Sequence, residues 1–218
     1  HLNEGLFHSA LIDEVFHAAR VTTGLSDGGP STIVGFSLGG NFALRIALRH
    51  TAMPIPGLAH VFAVSPVLNP HRATLAIDSG LSIYRRYFVK KWKTSLRKKQ
   101  ALFPSRYQFD EVLRYSTCME ITDAVIPRYS PFRDHREYFE TYTLCGDLFG
   151  NLTVPTHVIA SADDPIIPAD DFHALSGNRY FTLSLQRYGG HCGFLDPFPM
   201  GCWYERYIEE VLRGGTSF

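Results

Sequence analysis

The sequence predicts an α/β fold, in which helices cover both faces of a parallel β-sheet. Two observations support this fold class. Short apolar runs rich in β-branched residues alternate with longer runs whose apolar residues recur at helical spacing. Glycine-rich or acidic turns follow three of these apolar runs, at the position where parallel sheets carry their functional groups. A chain of 218 residues can enclose a sizeable core, so we expect a single domain over residues 1–218.

Each element is predicted from a local pattern. Residues 6–21 have apolar residues at helical spacing and predict an amphipathic helix. The turn-rich residues 24–30 separate this helix from a strand around Ile33. The later strands are short apolar runs and the later helices are amphipathic. They are strands at 57–66, 154–161 and 181–185, and helices at 42–48 and 203–212.

Residues 67–151 contain no strong strand pattern. Helical spacing recurs there at roughly 84–100, 109–118 and 134–144. Because the strands on either side belong to one sheet, we predict a helical lid inserted within the domain, and not a separate domain. Lids of this kind exclude water from a site and shape its pocket.

A serine between two glycines stands at the junction of the Ile33 strand and the following helix. The spacing Gly35-x-Ser37-x-Gly39 is typical of a sharp strand-to-helix turn that lifts the hydroxyl above the sheet edge. Such a turn strains the serine backbone, so we expect both glycines to be required for lack of space. At the helix N-terminus, the N–H of Leu38 is predicted to stabilise an oxyanion. Alone, the motif is equally compatible with a glycine-rich turn before a helix.

A serine hydroxyl becomes a nucleophile when a histidine accepts its proton and a carboxylate orients that histidine. Both groups follow later in the sequence. Asp164 comes after the strand at 154–161, and His191 lies in a glycine-rich loop after the strand at 181–185. The order Ser37, Asp164, His191, with each residue after its own strand, predicts a catalytic triad.

Two adjacent carboxylates compete for the role of the orienting acid. Asp164 is favoured because it begins the turn that Pro165, directly after it, fixes. Asp163 is then expected to cap the loop or bind backbone N–H groups.

Composition narrows the function classes. The net charge is zero, which gives no general attraction to nucleic acid, and no apolar run is long enough to span a membrane. No signal-peptide pattern is present, although the chain does not begin with Met and a removed leader stays open. We expect no metal or organic cofactor and a reduced, cytoplasmic compartment. The four cysteines lack metal-ligand spacing: Cys118, Cys145, Cys192 and Cys202.

The predicted helix at 84–100 is strongly basic. Tyr84, Phe88 and Trp92 fall along one stripe of it, and Lys and Arg residues occupy the rest. A solvated basic face on a packed lid helix is the favoured interpretation. Weak contact with anionic lipid headgroups at a membrane surface is the alternative.

Three motifs resemble the YheT-like branch of the α/β-hydrolases, to which plant EMB8-type and mammalian ABHD proteins are related. They are Gly-Phe-Ser-Leu-Gly-Gly-Asn at 35–41, Ala-Asp-Asp-Pro-Ile-Ile-Pro at 162–168 and Gly-Gly-His-Cys-Gly-Phe at 189–194. The resemblance covers nearly the whole chain. It implies hydrolysis of carboxylic esters, from short-chain esters to acylglycerols and phospholipids, with Ser37 as nucleophile, His191 as base and Asp164 as orienting acid.

The chain departs from this family at its beginning. It resembles the C-terminal two-thirds of the fold, without the first strands and without the loop that supplies a second oxyanion donor. The strand around Ile33 would then be an open edge, and loss of one donor costs about 100- to 1,000-fold in rate. A weakly active or inactive binding module is therefore an alternative. A thioesterase or acyltransferase with the same triad is another, because the fold does not determine the acyl acceptor.

Overall fold

Four parallel strands form the central sheet of this computed structural model, which describes residues 2–198 and 200–214. β1 (Ser31–Phe36), β2 (Leu58–Val64), β3 (Thr156–Ser161) and β4 (Phe181–Gln186) lie side by side in that order. Every residue of β3 is buried, as expected for an apolar strand covered on both faces. The prediction of a parallel α/β sheet is confirmed: β1 contains Ile33, and the ends of the other three strands lie within two residues of the predicted bounds.

The helices have the following bounds along the chain. They are α1 (Ile12–Thr23), α2 (Leu38–Ala52), α3 (Pro70–Ser79), α4 (Ser82–Leu102), α5 (Cys118–Tyr129), α6 (His135–Glu140), α7 (Asp170–His173) and α8 (Trp203–Leu212). A small antiparallel hairpin of β5 (Leu195–Pro197) and β6 (Met200–Cys202) precedes α8. Across the described ranges, even the longest helix lacks the apolar length that crossing a bilayer requires.

Helices α2 and α8 lie on opposite faces of the sheet. A Cβ atom on Gly35 would point at the backbone of Gly39 in α2. The next residue, Phe36, packs its ring edge-on against Tyr204 of α8, with 5.4 Å between the ring centroids. Because neighbouring side chains of a strand point to opposite faces, the two helices cover different sides of β1. β1 pairs with β2 alone among the described strands, so it forms one edge of the sheet.

A buried histidine forms part of the core beneath α8. His157 of β3 stacks on Phe62 of β2, with ring centroids 4.7 Å apart, and its Nδ1 lies 3.1 Å from the hydroxyl oxygen of Tyr207. Burial, with a smaller contribution from nearby His60, lowers the pKa of His157 from 6.5 to about 4. The imidazole is therefore neutral at neutral pH and acts as a core side chain.

The chain divides into two compact units. One contains the sheet and comprises Ile12–Leu68 and the residues from Leu144 onward. The other is helical and comprises Asn69–Thr143 with the first eleven residues. The assignment of residues 67–151 as a lid within one domain stays a prediction.

The helical unit has its own core and its own polar contacts. Asp78 accepts hydrogen bonds from the backbone N–H groups of Cys118 and Met119, at 2.7 and 2.9 Å, and so satisfies the first donors of α5. The buried Lys99 of α4 donates to the backbone oxygens of Asn3 and Gly5, the latter at 2.6 Å. The apolar core contains the buried residues Val89, Leu96, Tyr107, Phe109, Val112, Cys118, Ile121 and Val125.

The structure corrects the helix prediction at several places, some of which have identifiable reasons. The helix expected at 6–21 begins at Ile12, because the preceding residues belong to the helical unit, where the Ser9 N–H donates to the hydroxyl oxygen of Tyr138 at 2.9 Å. The helix expected at 109–118 is only the 3₁₀ turn Val112–Arg114, since a capping box of Thr117 and Glu120 starts α5 later. α3 was missed, although Asn69 caps it and Pro70 occupies its first turn.

Replacing His157 with Gln should make the fold less sensitive to acid. The unfolded chain binds a proton at this histidine below pH 6.5, whereas the folded protein resists until about pH 4. Stability is therefore lost as pH falls through this window. Urea unfolding at pH 7 and at about pH 4.5 should show a smaller loss for His157→Gln than for the unmodified protein. The matched control is His173→Gln at an exposed histidine, and an equal effect of both variants would contradict the assignment.

Candidate active site

Ser37 occupies a strained turn between β1 and α2. Its φ of 53° and ψ of −118° lie outside the regions that residues with side chains ordinarily adopt. Backbone hydrogen bonds hold this geometry. The N–H of Ser37 donates to the carbonyl oxygen of Val64 at 2.9 Å, and its own carbonyl oxygen accepts from Asn41 and Val67 at 3.2 Å each. The end of β2 and its loop therefore support the turn, and the hydroxyl stands at the carboxyl end of β1.

The glycines of this turn are not equally constrained. A Cβ on Gly35 would lie 2.2 Å from the carbonyl oxygen of Gly39, so Gly35 has no space for a side chain. A Cβ on Gly40 would lie 3.0 Å from two carbon atoms of Pro66. A Cβ on Gly39 would meet no atom within 4 Å. The expectation that both Gly35 and Gly39 are required for space was therefore wrong for Gly39, because the close approach involves its backbone and not its Cβ direction.

The structure brings the three predicted triad residues together. His191 Nε2 lies 3.0 Å from Ser37 Oγ, and His191 Nδ1 lies 2.9 Å from Asp164 Oδ2. The side chain of Asp164 is 1% exposed and that of His191 is 12% exposed. His191 thus contacts both Ser37, 154 positions earlier in the sequence, and Asp164, 27 positions earlier. This is the arrangement that general-base activation of a serine needs.

The two neighbouring aspartates have different partners. Asp164 Oδ1 accepts hydrogen bonds from the backbone N–H groups of Ile166 and Ile167, at 2.8 and 3.0 Å, while Oδ2 contacts the imidazole. Asp163 Oδ1 accepts from the N–H groups of Gly189 and Gly190, at 2.9 and 2.8 Å. The Gly190 N–H is the main cause that lowers the pKa of Asp163. Asp164 therefore faces the histidine, and Asp163 holds the loop that carries it.

Two serines that the sequence analysis did not single out also hold this loop. Ser161 Oγ donates to the carbonyl oxygen of Gly190 at 2.8 Å. Ser65 is fully buried, has a φ of 44°, and its Oγ accepts from the N–H of Cys192 at 3.2 Å. Both serines follow or end a buried strand, as Ser37 does. A polar residue at that position is the signal that could have identified them.

Opposing effects act on the basicity of His191. Burial lowers its pKa, but the hydrogen bond to Asp164 and the neighbouring Cys192 raise it, and the result is a pKa of about 9 instead of 6.5. The carboxylate therefore favours the imidazolium form, which is the form that a general base adopts after it takes a proton.

Leu38 is the first residue of α2, so its N–H belongs to the turn whose donors have no acceptor within the helix. The positive end of the helix dipole also favours a negative charge at this place. The predicted oxyanion donor is thus adjacent to the serine. Throughout residues 2–198 and 200–214, no group of three or more His, Cys, Asp or Glu side chains is placed to hold a metal ion.

Residues 4–199 match a family model described as the alpha/beta hydrolase family. Human ABHD15 is 30% identical over 164 residues, which cover 71% of this chain and 34% of that protein. YheT of Escherichia coli is 25% identical over 193 residues, covering 84% and 55%. The monoacylglycerol lipase ABHD2 of Danio rerio is 26% identical over 201 residues, covering 83% and 47%. The chain thus spans between about a third and just over half of the length of these relatives.

Solved structures are similar over nearly the whole chain. A serine hydrolase of Cycloclasticus zankles superimposes with a TM-score of 0.57 at 16% identity, covering 98% of this chain and 75% of that one. The meta-cleavage product hydrolase CumD of Pseudomonas fluorescens gives a TM-score of 0.52 at 12% identity, with the same coverage. At these identities the similarity concerns the fold, and that fold is the α/β-hydrolase fold.

Alanine substitutions at Gly35 and Gly39 should have opposite effects on stability. Gly35→Ala forces a methyl group into the backbone of α2 and should cost about 1–3 kcal/mol or more. Gly39→Ala adds a methyl group to open space in the first turn of a helix and should be neutral or stabilising by up to about 1 kcal/mol. Urea unfolding of both variants measures the difference. Equal destabilisation by the two would contradict the geometry of the turn.

Proposed function

This chain belongs to the alpha/beta hydrolase family, and we propose that it hydrolyses carboxylic esters through an acyl-enzyme formed on Ser37. The observation that supports this proposal most strongly is the continuous contact from Ser37 through His191 to Asp164, at 3.0 and 2.9 Å. Both distances are within the reach that proton transfer and histidine orientation need.

The first half of the proposed reaction forms the acyl-enzyme. Ser37 Oγ attacks the ester carbonyl carbon while its proton passes to His191 Nε2. The carbonyl oxygen becomes an oxyanion, which accepts a hydrogen bond from the N–H of Leu38. The tetrahedral intermediate then collapses. The bond to the alcohol breaks, and the leaving alkoxide oxygen takes the proton from His191.

The second half returns the enzyme to its starting state. His191 accepts a proton from water, whose oxygen attacks the acyl carbon on Ser37. A second tetrahedral intermediate releases the carboxylic acid, and Ser37 Oγ regains its proton from the imidazolium. In both halves, Asp164 stabilises the imidazolium that forms. Two backbone donors fix this carboxylate, so it does not have to reorient during the reaction.

The proposed substrates are acyl esters, from short-chain esters to acylglycerol-like lipids. ABHD2 of Danio rerio, a relative that this chain matches over 47% of that protein's length, bears the name monoacylglycerol lipase. That name is the reason to include a monoacylglycerol among the substrates tested. Because the chain spans only part of such relatives, the activity of the complete protein is part of this proposal.

A panel of p-nitrophenyl esters of increasing chain length, with a monoacylglycerol and an acyl-CoA added, tests the proposal. We expect turnover of at least one ester and labelling of Ser37 by a fluorophosphonate probe. Ser37→Ala should lose both and unfold at the same urea concentration as the unmodified protein. Acyl-ligand binding with no turnover and no label would instead support the non-catalytic module, and preference for acyl-CoA would support the thioesterase.

Separate substitutions of Asp164 and Asp163 should distinguish their proposed roles. Asp164 orients the imidazole of His191, and Asp163 holds the loop that carries His191. Asp164→Asn should lower kcat by about 10³- to 10⁴-fold, because a neutral amide neither stabilises the imidazolium nor selects its tautomer. Asp163→Asn keeps an acceptor oxygen for Gly189 and Gly190 and should cost less than about tenfold. Steady-state kinetics on the best ester of the panel provide the comparison. The reverse ranking would contradict the assignment of the orienting acid.

The pH dependence of kcat/KM should report the raised pKa of His191. Only the neutral imidazole accepts a proton, so activity should rise from pH 7 towards the pKa of about 9. In Asp164→Asn the carboxylate that raises this pKa is gone, and the residual rise should occur at lower pH. The shift in the pH dependence of kcat/KM is measured after the rate of Ser37→Ala at each pH has been subtracted. An identical acid limb in both proteins would show that Asp164 does not act on the base.

A further inference from the structure

The outward side of α4 carries an unusual concentration of positive charge. This helix of 21 residues contains eight Lys and Arg residues and no Asp or Glu, although the whole chain has a net charge of zero. Five of the eight cations are exposed, and we call this set with Ile83 and Tyr87 the basic face. The five are Arg86, Lys90, Lys91, Arg97 and Lys98.

The other three cations of α4 are less exposed. Arg85 donates to the carbonyl oxygen of Asp78 at 2.8 Å, Lys99 is buried, and Lys93 is half-buried. The five cations of the basic face are exposed and form no ion pair with a carboxylate anywhere in residues 2–198 and 200–214. No carboxylate of the described residues therefore neutralises these five charges, which face solvent.

Two exposed apolar side chains lie between the cations. Ile83 is 70% exposed and Tyr87 is 54% exposed, one helical turn apart. At 100° per residue, three cations lie on one side of this pair and two on the other, and the Nζ of Lys91 lies 5.5 Å from the ring centroid of Tyr87. Of the stripe predicted at Tyr84, Phe88 and Trp92, Phe88 packs against the core of the helical unit and Tyr84 is half-buried, whereas Trp92 is 36% exposed.

We propose that the basic face is a docking surface for an anionic lipid bilayer. The five cations would pair with phosphate and carboxylate groups of the lipid headgroups, and Ile83 and Tyr87 would enter the boundary between headgroups and acyl chains. Clusters of four to eight Lys and Arg on a helix suit anionic membranes, where each charge strengthens binding by about 5-fold. A polyanion such as RNA fits less well, because an exposed aliphatic side chain like Ile83 has no partner on a phosphate backbone.

This proposal is independent of the catalytic one. Every residue of the basic face belongs to the unit of Asn69–Thr143, whereas Ser37, Asp164 and His191 belong to the other unit. Vesicle binding can therefore be measured with Ser37→Ala, and loss of esterase activity would leave the surface unchanged.

Co-sedimentation with vesicles tests the surface directly. The protein should pellet with phosphatidylcholine vesicles that contain about one-third phosphatidylserine, and not with phosphatidylcholine alone. Binding should weaken strongly between about 0.05 M and about 0.5 M NaCl. Lys90→Gln/Lys91→Gln should reduce the partition coefficient about 25-fold, from two charges at about 5-fold each.

Matched variants make the result specific. Arg20→Gln/Arg136→Gln removes two exposed cations outside α4 and should leave vesicle binding within about 2-fold of the unmodified protein. Ile83→Ser/Tyr87→Ser keeps every charge and should weaken binding at both salt concentrations. Equal losses from the two charge variants, or binding to an RNA oligonucleotide with none to the vesicles, would overturn the proposal.

Discussion

A single hydrogen bond of 3.0 Å, between His191 Nε2 and Ser37 Oγ, joins residues 154 positions apart in the sequence and is the contact on which the account of this chain depends. This contact exists because β1, β3 and β4 run parallel, so that the residues that follow these strands all lie at the carboxyl ends of the strands, on the same side of the sheet. Ser37, Asp164 and His191 each follow one of these strands. The parallel direction of the strands is therefore the first requirement of the proposed chemistry, because it brings these three side chains together.

Backbone strain is concentrated around that contact. Five non-glycine residues of the described chain have a positive φ, and four of them are Ser37, Ser65, Cys192 and Phe194. Such conformations cost on the order of 1–3 kcal/mol each and persist where the surrounding structure determines them fully. Here the end of β2 supplies much of this support, because Val64 accepts from the N–H of Ser37 and Ser65 accepts from the N–H of Cys192, next to His191. β2, which none of Ser37, Asp164 and His191 follows, thus positions two parts of the candidate site.

The sheet could be predicted from the sequence, and so could the positions of Ser37, Asp164 and His191, because each depends on a local pattern. A buried strand is a short apolar run, and each of these polar residues lies in the turn or loop that follows such a strand. Distinguishing Asp164 from Asp163 also depended on a local feature, the proline that follows Asp164. The prediction for Gly39 was wrong because the space around each glycine depends on how α2 packs on β1, which no local pattern shows.

The helical unit was harder to predict because its helix ends depend on contacts between distant residues. The chain does not form the expected helix before Ile12, where the Ser9 N–H donates to the hydroxyl oxygen of Tyr138, 129 positions away. The capping box that starts α5 is local, but Asp78, which accepts from the first N–H groups of α5, is 40 positions from Cys118. The contacts of Tyr138 and Asp78 have no signature in the local sequence. The orientation of α4 has the same origin, since packing of Phe88 turned Ile83 and Tyr87 outward.

In the proposed reaction Ser37 carries the acyl group, and mass spectrometry of the protein quenched during turnover of a p-nitrophenyl ester tests this step most directly. We expect the mass of one acyl group on the peptide that contains Ser37, and no acyl group in Ser37→Ala. Acylation of Cys192, the thiol next to His191, in place of Ser37 would contradict it, as would turnover of the ester by Ser37→Ala at the unmodified rate.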